Sequence, residues 1–335
     1  MIVKKEVEIG GKTFSIETGL LAKQANGAVM VRYEDTMVLI TAVATEEAKE
    51  DQDFFPLQVE YREKTSAAGK FPGGYIKREG RPSEKEILSA RLIDRPIRPL
   101  FPKDFKNETQ VIAFVFSHDG ENDADVLGAV GASAALTISD IPFDGPMAEV
   151  RVGRVNGEFV VNPTTQQIKV SDIELVVAGT EDSIMMVEGE SKEIGESDLL
   201  DALRFAQAEI KKLVQIQLEL KAEAGKTKWE VTPVEVDEAL KKDVYDLAYE
   251  KFKDIVYSVL AKEERSSKNK ELSAFVNESL AEKYPEQEKI IGKLFEFYYA
   301  TTGVATTIEN SKRMGKHIGQ ELKEEGVDGV ILTST

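Results

Sequence analysis

Residues 68–105 read AGKFPGGYIKREGRPSEKEILSARLIDRPIRPLFPKDF, and they carry most of what the sequence says about the fold and its use. The first half is rich in turn formers, Gly69, Pro72, Gly73, Gly74 and Gly80, so it reads as a loop that presents Tyr75 beside Lys77, Arg78 and Arg81. Ser83 followed three residues later by Glu86 is a capping-box signature, which predicts a short helix over SEKEILSARLID. Arg91, Arg95 and Arg98 follow at spacings of four and three, and the first two share a helical face if the helix persists that far. A guanidinium fork grips phosphate oxygens in two places and stays charged, while an aromatic among cations can stack a base. The same charges can instead pair with Glu79, Glu84, Glu86 and Asp94 as a structural network. Spacing alone leaves both readings open.

Outward from this stretch, charge sharpens the contrast. Residues 62–106 hold twelve Lys+Arg against six Asp+Glu, in a chain whose net charge is −17. An acidic protein repels nucleic acid on average, so a single basic segment predicts a focused anion site. The absence of cysteine excludes thiol catalysis, disulfides and Cys-ligated metals. His118 and His317 have no partner at metal-ligand spacing and read as ordinary surface histidines. Asp123 and Asp125 near His118 read as a solvated loop, since too few ligands converge there for a metal. The spacing of GKFPGGY fits neither nucleotide-binding glycine fingerprint. No run of about 18 apolar residues is present, and the N-terminal MIVKKEVEIGGKTFSIETG alternates where a signal peptide is continuously apolar. The expectation is a cytoplasmic protein without membrane association.

Around the basic segment the pattern is strand-rich. VEIGGKTFSIETG and AVMVRYEDTMVLITAVA alternate with period two and predict an antiparallel meander. Residues 110–117, QVIAFVFS, read as a core strand, and residues 125–139, DVLGAVGASAALTIS, as a small-residue helix able to pack closely on a sheet. AEVRVGRVNGEFVVNP contains a hairpin at Asn156-Gly157, ELVVAGTEDSIMMVEGE gives a second strand pair with Met185-Met186 as core packing, and Ser197–Ala222 reads as an amphipathic helix with a serine N-cap, closed near Gly225. Strands and helices interleave without a regular βαβ period, which predicts an α+β fold with mixed sheets. Gly225–Trp229 reads as a linker. Beyond it an apolar stripe at Val236, Leu240, Val244, Leu247, Ala248, Phe252, Ile255 and Val259, a helix over Asn269–Lys283 and another opened by Pro285 predict a small all-helical unit. The end of the chain reads as a Gly-terminated helix and a buried strand, VDGVILT. The boundaries so read are 1–228 for the α+β core, 229–299 for the helical domain, and 300–335 for a divergent tail, truncated or fused.

GGYIKREGRPSE followed by RLIDRPIRPLFP resembles the first core domain of the bacterial polynucleotide phosphorylase family. ETGLLAKQANGAVMVRYEDTMVLITAVA, DQDFFPLQVEYREK, GASAALTISDIPFDGP and LVVAGTEDSIMMVEGE follow the same family in the same order, over residues 1 to about 290. The resemblance implies an RNase PH-like core followed by a helical linker domain. It implies phosphorolysis of RNA by inorganic phosphate from the 3′ end, releasing nucleoside diphosphates in mRNA degradation. It further implies magnesium, a homotrimer and a place in an RNA-degradation complex. Tyr75, Lys77, Arg78 and Arg81 then belong to a loop lining the central pore around single-stranded RNA, with Ile76 where many members have a second aromatic. Arg91, Arg95 and Arg98 then grip the RNA backbone. No second copy of the VRYEDTMVLITAV pattern follows, so catalytic and magnesium-binding residues are expected on a second core and none on this chain. The last thirty or so residues instead resemble the stretch before the selenocysteine of the glycine reductase selenoprotein subunit. Two alternatives accompany the enzyme reading: a non-catalytic RNA-binding or assembly module, and a non-functional gene-fusion product.

Overall fold

Alternating apolar residues build the first sheet. β1 (Val3–Ile9), β2 (Lys12–Thr18), β3 (Gly27–Tyr33) and β4 (Thr36–Ala44) form the expected antiparallel meander. Gly10 and Gly11 turn the first hairpin at φ 56 and 76, angles at which a Cβ is costly. β5 (Leu57–Glu63) pairs parallel with β6 (Thr109–Ser117), and β6 pairs antiparallel with β4. The resulting order, β1-β2-β3-β4-β6-β5, is a mixed sheet. The computed structural model describes residues 2–49, 52, 54–231, 237–258, 260–285 and 291.

Two helices cover this sheet. α1 (Glu84–Ile97) packs on β5, and α2 (Asp125–Ile138) packs on β3 and β4. Every residue of α2 is buried, which its small side chains permit. A Cβ on Gly131 would stand 2.2 Å from Ile40 Cδ1, and one on Gly128 3.1 Å from Ile93 Cδ1. Glycine therefore sets how near the helix lies to the sheet and to α1.

The second sheet contains β7 (Ala148–Val155), β8 (Glu158–Val161), β9 (Ile173–Gly179) and β10 (Ile184–Ser191) in the order β10-β9-β7-β8, all antiparallel. Asn156 and Gly157, at φ 54 and 85, make the expected hairpin turn between β7 and β8. Of the pair Met185-Met186, Met186 is buried in the core whereas Met185 is only partly buried, so the core-packing reading holds for one of the two. A short helix, α3 (Thr165–Val170), precedes β9, and α4 (Glu196–Ala224) packs across β1 and β7.

Ser197 does not cap α4. The helix begins one residue earlier, with Gly195 in extended conformation as N-cap and Glu196 and Asp198 in its first turn, where carboxylates favour the helix dipole. Gly225 does close it, its amide bonding Lys221 O at 2.8 Å. The following segment is tied down where a linker was read. Lys226 and Trp229 amides bond the carbonyls of Ile138 and Asp140 at 2.9 and 2.8 Å, and Lys228 Nζ donates to Leu136 O and Ser139 O at 2.6 and 2.8 Å. These bonds tie the segment to carbonyls in the last turn of α2 and just beyond it, where no further helical amides follow to pair them.

The chain divides into two compact units, Met1–Pro233 and Val234–Thr335. In the second, α5 (Glu238–Tyr257) and α6 (Lys262–Ala281) pack together through Leu240, Val244, Ala248 and Phe252 against Leu272, Val276 and Leu280. α6 starts seven residues before the predicted Asn269, because KEERSSK is helical yet shows no apolar face by which to recognise it. Val236, Val259, the helix from Pro285 and the helix and strand read in 300–335 lie outside the described residues.

Candidate nucleic-acid interface

The basic segment divides into a loop and a helix. Ser83 caps α1 as its sequence predicts: Ser83 Oγ accepts from the Glu86 amide at 3.2 Å and Glu86 Oε2 from the Ser83 amide at 2.6 Å. Glu86 Oε1 also accepts the Glu63 amide at 2.9 Å and lies 3.6 Å from Arg62 Nε. Burial opposes the Glu86 charge, but the Ser83 and Glu63 amides, the Ser83 hydroxyl and Arg62 outweigh it and hold the carboxyl below its ordinary range. This anchors the start of α1 to the end of β5.

The loop between β5 and α1 stands clear of the core. Glu79 Oε1 pins its base by accepting from the amide and hydroxyl of Thr65 at 3.1 and 2.9 Å. At its tip Tyr75 is 101% exposed and Phe71 91%. Gly69, Gly74 and Lys77 take positive φ of 67, 75 and 54. Lys77, Arg78 and Arg81 are exposed and form no ion pair with any described residue. The pairing reading of the loop cations therefore does not hold, because Glu79 is spent on Thr65.

The pairing reading does hold in part on the helix. Arg98 is bound to Asp94, Nη2 to Oδ1 at 2.7 Å, and also donates to Leu57 O at 3.1 Å. Arg95 is ion-paired, but with Glu188 of β10 and not with an acid of its own segment. Arg91 is exposed and unpaired with described residues. α1 is the ridge between two clefts. The first, about 410 Å³, has Arg91 and Arg95 on one wall and Arg151, Glu174 and Glu188 on the other. The second, about 640 Å³, lies between α1 and β5 and is lined by Arg91 and Arg98. Arg91 alone of the three faces both.

Arg151 of β7, which the sequence reading did not single out, lines the first cleft opposite α1. It is ion-paired with Asp125 at the start of α2 and, at 2.5 Å, with Glu174 of β9. Burial weakens its charge, but Asp125, Asp123 and Glu174 outweigh that and raise its pKa. Asp123 is held by Lys85 at 2.9 Å; Lys85 and Arg151 overcome burial and keep its carboxyl low, whereas burial pushes that of Asp125 up. The reading of Asp123 and Asp125 as a solvated loop is thus corrected. Asp125 is buried because Arg151, 26 residues away, supplies its counter-charge. Next along β7, Glu149 is fully buried, and neither carboxylate oxygen has a hydrogen-bond partner among the described residues. The signal was present in AEVRVG, where charges occupy alternate positions of an otherwise apolar strand.

Among the described residues no group of three His, Asp or Glu is placed to hold a metal. The carboxylates nearest the arginines are already paired, Asp123 with Lys85, Asp125 and Glu174 with Arg151, and Glu188 with Arg95, so this cleft does not fit a magnesium ion. His118 accepts the Gly120 amide at 2.9 Å and serves a turn; His317 lies outside the described residues.

The described core thus has two sheets with interleaved helices, an arginine-lined cleft and a basic loop, the α+β arrangement expected of an RNase PH-like core. The model of domain 1 of the 3′ exoribonuclease family matches residues 10–142, and that of its domain 2 matches residues 145–209. The chain belongs to this family. It is 56% identical over 272 residues to the polyribonucleotide nucleotidyltransferase of Chlorobaculum parvum, covering 81% of this chain and 37% of that protein. It is 52% identical over 297 residues to that of Geobacter sulfurreducens, covering 88% and 42%. The chain thus spans about two fifths of the length of these relatives. Residues 275–335 match a different family, glycine/sarcosine/betaine reductase selenoprotein B. No helix among the described residues is long and apolar enough to cross a membrane.

Proposed function

We propose that this chain is the RNA-guiding portion of a phosphorolytic 3′–5′ exoribonuclease of the polyribonucleotide nucleotidyltransferase type, working in mRNA degradation in the bacterial cytoplasm. Tyr75, Lys77, Arg78 and Arg81 meet single-stranded RNA at the loop. Arg91, Arg95 and Arg98 hold its backbone along α1. Inorganic phosphate and magnesium act in the part of the longer relatives that this chain does not span, so the catalytic residues are not on it, and assembly as a homotrimer brings the loops together. The domains are 1–228, 229–299 and a tail at 300–335.

The observation that carries this reading is the unpaired, fully exposed basic-aromatic loop in a chain over half identical to such enzymes. Phosphates attract cations without partners most strongly, since no ion pair has to be broken first. The test is release of nucleoside diphosphates from single-stranded RNA by the purified chain with magnesium, with and without phosphate, together with RNA retention at low salt. Retention without release supports a guiding portion; phosphate-dependent release refutes the placement of catalysis elsewhere. Replacing Lys77 and Arg78 together by alanine is expected to weaken retention and flatten its salt dependence by a slope of about 2.

A second reading, favoured by the match of residues 275–335 to an unrelated family, is a chain joined from two sources. Intact mass of the protein from its source organism tests it, with 37.1 kDa expected if this polypeptide exists as such.

A further inference from the structure

Phe71 and Tyr75 are the two most exposed large apolar side chains among the described residues. Neither lies in the core, and both sit on the same loop, four residues apart. A tyrosine in water still solvates its hydroxyl. A phenylalanine gains nothing from exposure, and because Tyr75 and Ile76 are also exposed on the same short loop, Phe71 belongs to a grouped apolar surface of the kind that marks an interaction site.

The surroundings limit what can cover it. Pro72, Gly73 and Gly74 separate the two rings, and a Cβ at either glycine would meet no atom within 4 Å. The loop therefore stands free of the other described residues on that side. Four residues span at most about 14 Å, so one short ligand segment can reach both rings. Lys70 precedes Phe71, and Lys77 and Arg78 follow Tyr75. An apolar protein surface placed here would bury three cations without counter-charges. Single-stranded nucleic acid satisfies both demands, since it brings a flat base to each ring and a phosphate to each cation.

We propose that Phe71 is a second base-stacking residue of this loop, so that Phe71 and Tyr75 each take one base of single-stranded RNA while Lys70, Lys77 and Arg78 hold its phosphates. The assignment rests on the RNA-guiding reading above and extends it to a residue outside the YIKR segment. Because stacking involves no counterion release, Phe71 contributes affinity and not salt dependence.

The experiment is fluorescence anisotropy of a labelled oligouridylate with the full 335-residue chain over a salt series. Phe71→Ala is expected to weaken binding about 5- to 150-fold with the salt slope unchanged, and Phe71→Trp to restore it. The double substitution Lys77→Ala/Arg78→Ala is the control and lowers the slope. If the control weakens binding while Phe71→Ala does not, the stacking role of Phe71 is overturned and the loop reading stands. If neither changes binding, both fall. If Phe71→Ala alters sedimentation and loses RNA only as a consequence, a second copy of the chain covers the ring, which also overturns the proposal.

Discussion

Arg95 on α1 and Glu188 on β10, 93 residues apart in sequence, close an ion pair across the mouth of the cleft that Arg91 also lines. Both side chains are about half exposed, so the pair is screened by solvent and weak. A phosphate arriving at Arg95 must displace Glu188 or share the guanidinium with it. Glu188→Gln is therefore expected to tighten RNA retention, by up to about 5-fold given that exposed pairs are worth about 0.2–1 kcal/mol. It should also steepen the salt dependence by a slope of about 1. Filter binding over a salt series checks this, and unchanged affinity would show that Arg95 takes no part.

Arg151 sits in a different balance. Its charge is what makes burial of Asp125 tolerable, so Arg151→Met removes the guanidinium that pairs with that carboxylate and with Glu174. Removing one side of a buried pair costs about 3–5 kcal/mol, on the order of a 10 °C fall in Tm for a unit of this size. Asp125→Asn keeps the hydrogen-bonding shape and leaves Arg151 to Glu174 and Asp123, and should cost clearly less. Thermal unfolding of both variants decides; equal losses would mean that the network acts through packing and not charge.

Glu149 predicts how stability moves with pH. Burial first, and then the Asp125 charge, push its carboxyl well above the ordinary 4.5, against the pull of Arg151 and Arg95. The folded chain thus keeps a proton that the unfolded chain releases above that pH. The contribution is complete below about 4.5 and is lost as pH rises toward the folded pKa. Glu149→Gln cannot ionise, so it should flatten the decline in unfolding free energy that sets in as pH rises above about 4.5 and raise stability at the alkaline end. A wild-type slope that survives the substitution would assign it to other groups.

What sequence could reveal followed from the range of each interaction. The Ser83–Glu86 cap, the Asn156-Gly157 turn and the meander are set by neighbours within a few residues, and each reads directly. The parallel pairing of β5 with β6 is set by contacts across about fifty residues, and nothing local in LQVEYRE announces it. Ser197 misled because a serine near a helix start resembles a cap, whereas Gly195 is the N-cap and the chain is helical from Glu196 onward. The arginine cluster was legible as cations and in its local partner, since Asp94 is four residues from Arg98, but Glu188 reaches Arg95 only through the fold. Likewise Arg151 and Asp125 looked like a strand charge and a loop acid until β7 and α2 met.

The close approach of α2 to the meander offers the sharpest test of packing. A Cβ on Gly27 of β3 would lie 2.0 Å from Ala135 O and 3.0 Å from Ser139 Cβ, while one on Gly131 would lie 2.2 Å from Ile40 Cδ1 and 2.9 Å from Val31 Cγ2. The two clashes differ in what can yield. Ile40 and Val31 can rotate or shift, and Gly131→Ala regains about 1 kcal/mol of helix propensity against about 1–3 kcal/mol of overpacking. A modest net loss follows. The Ala135 carbonyl belongs to the helix backbone and has no rotamer to change, and Gly27 lies in a strand, where alanine brings no helical gain. Gly27→Ala is therefore expected to destabilise more than Gly131→Ala, by on the order of 3 kcal/mol, read as a lower denaturant midpoint with an unchanged slope. Equal midpoints for the two variants would show that α2 can slide on the sheet as a body, relieving backbone and side-chain contacts alike.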